Sequence, residues 1–150
     1  MKKITILLAT LIIVLCSGFG QEDNLSNEFG VHVGATTGLG LSLRHWFNKP
    51  GIQITVLPIG TDDLTFVSGA LTALYSFKQT KYVRVYGYLG NHLLYNTENK
   101  YETQYNVGIG PGFSFGRTVT FNLMFGYGFY DIVNRLNMYP TGEMGLYFRF

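Results

Sequence analysis

Gly112-Phe113-Ser114-Phe115-Gly116 has the spacing by which hydrolases present a nucleophilic serine. That chemistry needs the serine on a sharp strand-to-helix turn, with a histidine and an acid further along the chain. Here the motif lies inside an alternating, strand-like run, and no histidine follows His92. Ser114 therefore reads as an inward hydroxyl between two outward phenylalanines. The histidines are His32, His45 and His92, and only His92 is a candidate base, with Asp131 or Glu98 as its acid. The plainer reading of His92 is a hydrogen-bonded interior imidazole. A three-histidine metal site would need residues near opposite strand ends to converge, so no metal is expected. Gly108-Ile109-Gly110-Pro111-Gly112 is glycine-rich, but no helix follows to complete a phosphate-binding loop. Asn24-Leu25-Ser26 matches a glycosylation sequon and carries little weight alone. No cofactor is expected.

The 150 residues allow one domain behind a leader. Lys2 and Lys3 precede an apolar run from Ile4 to Leu15 and then small residues, the three-part layout of a secretory signal peptide. The run is shorter than the ~20 residues a spanning helix needs. Gly18 and Gly20 place cleavage before Gln21, giving a signal over 1–20 and a polar lead-in over 21–27. Cys16 admits a lipoprotein reading, but Leu15 stands where a small residue is expected. Cleavage at that point takes Lys2 and Lys3 out of the 11 Lys and Arg, leaving nine basic against nine acidic residues. Such a near-neutral chain has no basic stripe for nucleic acid. It also has no cysteine for a disulfide or a thiolate metal site.

From Glu28 onward the chain parses into eight alternating runs: 28–35, 39–47, 52–59, 64–77, 82–95, 103–115, 119–130 and 143–150. One face collects Val31, Leu41, Ile54, Val85, Leu89, Ile109, Phe121 and Phe125. The other collects His32, Ser42, Arg44, Thr55, Arg84, Asn106, Ser114, Asn122 and Arg149. A soluble sandwich or barrel would alternate too, but its wet face should be rich in Lys and Glu. This polar face is mostly Gly, Ser, Thr, Asn and Tyr, and only 13% of residues are charged against a typical ~25%. Lipid outside and a packed lumen inside fit that composition. In hydrocarbon an open sheet edge would leave backbone groups unpaired, so the sheet must close. The expected fold is all-β: a closed antiparallel eight-stranded up-and-down transmembrane β-barrel over 28–150, with both termini periplasmic.

Details follow from that fold. Arg84, Tyr86 and Tyr88 point inward across Gly108, Gly110 and Gly112 of the next strand, so large side chains lie over small ones. Arg44, Arg84 and Arg149 with Glu143 form the candidate lumen charge cluster, because a buried charge needs a partner. Phe47, Phe77, Phe115 and Phe150 at one end, and Tyr95, Tyr127 and Phe129 toward the other, suggest interfacial girdles. Pro111 inside the sixth run removes a ladder donor and predicts a bulge over 110–112. The longest connections, 96–102 and 132–140, would face outward.

The last eight residues alternate strictly and end on an aromatic. Glu143, Gly145, Phe148 and Phe150 fill the positions of the C-terminal assembly signal of bacterial outer-membrane barrels. On that motif and the architecture, the chain resembles the small eight-stranded OmpA-like and OmpX-like barrels. Gly34–Ser42 followed by Arg44-His45-Trp46 also resembles barrels of the Bacteroidetes lineage. The resemblance implies an outer-membrane location, contact with outer-membrane lipids, and insertion by the barrel-assembly machinery through the terminal strand. A monomer is expected. It does not imply one activity. A non-enzymatic structural or surface-interaction protein leads, with a narrow channel as one rival. A lipid A-modifying enzyme using His92 is another, although the His-x-Ser spacing of such enzymes is missing.

Overall fold

The structure, a computed structural model, describes residues 27–60, 65–97 and 102–150. The expected signal segment, Cys16, the sequon and Glu98 lie outside the described residues. Eight strands form: β1 (Asn27–Gly34), β2 (Gly38–Trp46), β3 (Pro50–Gly60), β4 (Thr65–Gln79), β5 (Val83–Asn96), β6 (Glu102–Gly116), β7 (Val119–Tyr130) and β8 (Asn137–Arg149). Each pairs antiparallel with its chain neighbours, and β1 pairs with β8 to close the barrel. Below, the end carrying Asn27 and Phe150 is the lower end, and the end carrying the β1–β2 turn is the upper.

Burial is inverted relative to a water-soluble protein. Inward Arg44, Gln53, Thr55, Thr72, Asn122 and Glu143 are all at most 2% exposed, while outward Val31, Leu89, Ile109, Met144 and Phe148 are 52–54% exposed. Phe47, Phe77, Phe115 and Phe150 are exposed toward the lower end. The alternation that fixes this is a simple consequence of the pleat, which sends successive side chains to opposite faces.

The strands are unequal, and this shapes the upper end. β1 and β2 have 8 and 9 residues, whereas β4, β5 and β6 have 15, 14 and 15. β8 starts six residues earlier than the alternation suggested, so the expected 132–140 connection shrinks and Pro140 pairs with Tyr127. Beyond Met144 toward the upper end, β8 has no partner on β1; beyond Val56, β3 has none on β2. The wall is thus notched above the β1–β2 hairpin. Pro58 and Pro140 lie on the two free edges, where a missing N–H costs no ladder bond and blocks strand addition. Pro140, expected in the outward connection, is instead part of β8 at a free edge.

The bulge expected at Pro111 is absent. Pairing with β7 stops after Ile109↔Tyr127 and resumes in the same register at Gly112↔Met124, while pairing with β5 runs straight through Gly87↔Pro111. The lapse puts the missing donor on the β7 side. There the two backbones approach closely: a Cβ on Gly110 would stand 1.9 Å from the Phe125 carbonyl oxygen, and one on Gly126 2.0 Å from that of Ile109. The register irregularity of the barrel lies instead between Ser76 and Lys78, where Phe77 is the extra residue and its ring lies over Gly87.

Gly110→Ala should therefore destabilise the barrel by about 1–3 kcal/mol through forced backbone movement. Gly69→Ala, whose new methyl would meet nothing within 4 Å, should change stability by less than ~0.5 kcal/mol. Urea unfolding of the folded protein in detergent compares the two.

Candidate functional site

The interior holds two polar clusters, one above the other. The lower is organised by register. Glu28 of β1 stands directly opposite Arg44 of β2 on one side and Arg149 of β8 on the other. Arg149 donates to the Glu28 carboxylate from Nη2 at 2.7 Å and Nε at 3.0 Å, and Arg44 from Nη1 at 3.1 Å. Arg84 reaches the same carboxylate from β5, across the lumen, at 3.7 Å.

Three guanidinium groups around one carboxylate leave excess positive charge, and the surroundings absorb it in two ways. Neutral oxygens accept: Gln53 Oε1 takes Arg44 Nη2 at 2.6 Å, Asn122 Oδ1 takes Arg44 Nη1 at 2.6 Å, and Gln79 Oε1 takes Arg84 Nη2 at 2.8 Å. Aromatic faces do the rest: the Arg44 guanidinium lies 4.5 Å from the Tyr147 ring centroid, and that of Arg84 lies 4.1 Å from that of Trp46. Trp46 meets Tyr86 edge-on at 5.6 Å, and Tyr86 donates to Asn122, so β2, β5 and β7 touch across the lumen.

The upper cluster is built on the β1–β2 turn, which folds into the barrel. Thr36 and Thr37 are fully buried. Glu143 holds them: its carboxylate accepts the Thr36 N–H at 3.0 Å and the hydroxyls of Thr36 and Thr37. His32 Nε2 lies 2.6 Å from the Thr37 hydroxyl. The far side of the turn rests on the opposite wall, at Gly90 of β5 and Gly108 of β6, which pair with each other. A Cβ on Gly108 would stand 2.0 Å from Thr36 Oγ1, and one on Gly90 2.6 Å from Thr37 Cγ2. One step higher, His92 and Asn106 face each other and both donate to the Ala35 carbonyl, at 2.9 and 3.1 Å. The hairpin tip spans the lumen.

The arginines singled out from the sequence come together, with Glu28 as their shared partner; its parity with His32 and Gly34 was the available signal. Glu143 does not join them and belongs to the upper cluster. Of the C-terminal signal residues, Gly145 lies inward beneath Tyr147 and His32, while Phe148 and Phe150 stack at 6.4 Å outside. Ser114 is buried, and Phe113 and Phe115 stack outside it at 6.4 Å. His45 points outward at the lower end, its Nδ1 2.7 Å from Asn27 Oδ1, so the three histidines do not converge. Among the described residues, no group of three or more His, Cys, Asp or Glu is placed to hold a metal.

A serine unnoticed in the sequence does meet His92: Ser68 Oγ is 2.9 Å from Nε2. Nδ1 donates to the Ala35 carbonyl, which leaves Nε2 as the ring nitrogen facing the Ser68 hydroxyl, and that is nucleophile–base geometry. Other features oppose catalysis. The orienting group is a carbonyl and not a carboxylate, Ser68 Oγ already accepts the Leu39 N–H at 3.0 Å, and both side chains are buried against the hairpin. Asp131, the candidate acid, instead accepts from Asn134 in the β7–β8 turn.

No protein-family model matches this sequence, and no curated protein matches it. Solved structures do. The N-terminal β-barrel domain of Pseudomonas aeruginosa OprF superposes with a TM-score of 0.53 at 14% identity, over 83% of this chain and 96% of that one. Ail, the attachment invasion locus protein of Yersinia pestis, gives 0.42 at 17% identity, over 83% of this chain and 94% of that one. At such identity the OprF likeness is one of fold: this chain has the closed eight-stranded architecture of the small outer-membrane barrels. It does not bear on the resemblance to Bacteroidetes barrels.

Glu28→Gln removes the carboxylate that three arginines share and should cost about 3–5 kcal/mol of stability. Adding Arg84→Met should recover part of that loss, because one uncompensated cation leaves with it. Denaturant titrations of the single and double variants measure both effects.

Proposed function

We propose that this chain is a non-enzymatic integral protein of the bacterial outer membrane, with a structural or surface-interaction role and a closed lumen. One observation carries the reading: the wall is apolar where it is exposed and polar where it is buried, and the buried side is bridged from wall to wall at two levels. An outward face of Val, Leu, Ile and Phe suits acyl chains, and a filled interior suits a barrel whose surface, not its lumen, does the work. On this reading the termini face the periplasm and the hairpin tip seals the outer mouth. The terminal strand, with Glu143, Gly145, Phe148 and Phe150, addresses the barrel-assembly machinery.

A narrow channel is the second reading. It is favoured by the upper closure, which hangs largely on one carboxylate and could be released. The two readings separate in planar bilayers. The closed barrel predicts no steady single-channel steps for the wild type, and steps appearing in Glu143→Ala as the hairpin tip loosens. Regular wild-type steps that change in Arg84→Ala would establish the channel instead. For the membrane location, the protein should fractionate with outer membranes and migrate differently on a gel before and after boiling. Recovery from a detergent-free periplasmic extract would contradict it. The non-enzymatic reading predicts that His92→Ala leaves the lipid A mass spectrum unchanged.

A further inference from the structure

Asn91 stands on the wrong side of the wall. It lies on β5 between Leu89 and Leu93, which are 52% and 49% exposed, and in register with Leu71 of β4 and Val107 of β6. Among the described residues, the other short polar side chains on the outward face sit at strand ends: Asn27 and His45 below, Thr65 and Thr103 above. Asn91 alone carries a carboxamide into the apolar belt. Its side chain has no hydrogen-bond partner among the described residues. It lines a groove of about 350 Å³ whose other walls include Leu71, Leu89, Tyr105 and Val107. A second outward groove of about 500 Å³ adjoins it, sharing Ala73 and Leu89.

We propose that this face of β4–β6 is a homodimer seam centred on Asn91. The proposal rests on the outward face being in lipid. There an unpaired amide is costly, acyl chains offer it nothing, and the backbone groups of its own wall are committed to the ladder. On that reading the headgroups lie above, toward Tyr95, the second outward position beyond Asn91 on β5. The one other polar side chain lining the groove, Tyr105, does not pair with the amide, so its partner at this depth comes from another protein wall. A second copy related by a two-fold axis along the membrane normal brings its own Asn91 to the same height. A carboxamide both donates and accepts, so two facing Asn91 side chains form a reciprocal pair of N–H···O bonds. The grooves on either side admit apolar side chains of the partner, with Leu93 of each copy standing beside the groove of the other. This departs from the monomer expected from the sequence.

The test uses the whole protein, folded in detergent of matched density, with sedimentation equilibrium over a range of protein-to-detergent ratios. The wild type should associate to a dimer, Asn91→Gln should retain it, and Asn91→Leu should weaken it ~10-fold or more. In membranes, with Cys16 replaced, Asn91→Cys should form a disulfide-linked dimer and Phe121→Cys, on another part of the wall, should not. The heat-shifted gel band confirms that each variant is folded. A wild type monomeric at every ratio overturns the seam, and so does Asn91→Leu associating as tightly as wild type. A monomer that co-purifies with lipid lost in Asn91→Leu overturns it in favour of a lipid site. A protein found soluble fails earlier, at fractionation, and takes the membrane reading with it.

Discussion

Closure between β1 and β8 is the constraint from which the rest of this molecule follows. An open edge would leave a row of N–H and C=O groups unpaired, which hydrocarbon does not tolerate. The register that closes the seam, Glu28↔Arg149 to Val33↔Met144, also puts Glu28 between two arginines on adjacent strands. Backbone pairing and the lower charge cluster are thus one arrangement, and neither can slip without the other. A one-residue slip of β1 would turn Glu28 out toward the apolar side and leave both arginines inside without their carboxylate.

Two unequal features of the wall then determine the interior. The short β1–β2 hairpin ends well below the rim formed by β4–β6, so its tip has walls around it and turns inward. Once inside, its backbone groups need partners that water no longer supplies. Glu143, His92 and Asn106 provide them, and the glycines at 90 and 108 provide the room. The notch left above the hairpin exposes two edges, and the prolines at 58 and 140 blunt both. Polar contents, a tucked turn and blunted edges are separate answers to the same demand, that backbone groups and buried charges find partners in an apolar setting.

Much of this was legible in the residue order. Period-two alternation gave all eight strands and both faces, because a pleated strand has no other way to sort its side chains. The inward placement of Arg44, Arg84, Arg149, Tyr86 and Gly112 followed from parity alone. What parity cannot supply is which walls meet. Glu28 escaped notice because its importance comes from the β1–β8 seam, joining residues about 120 positions apart. Glu143 was grouped with the arginines by charge, whereas strand height separates it from them. The burial of the tip at Thr36-Thr37 is not written in the residue order, since it depends on how far neighbouring strands extend. Pro111 misled in the other direction: a missing N–H was met by a lapse in pairing beside paired glycines, not by an inserted residue.

The central claim is that the exposed apolar face of these strands meets lipid, and it can be measured directly on β7. Spin labels placed singly at Phe121, Leu123 and Phe125, with Arg117 in the neighbouring turn as the aqueous reference, report accessibility to oxygen and to a water-soluble nickel chelate in reconstituted bilayers. The account predicts that the three strand positions are open to oxygen and closed to nickel, while Arg117 is open to nickel. Nickel accessibility along the strand, or shielding of all three positions from both reagents, would place that face in water or in a protein core and contradict it.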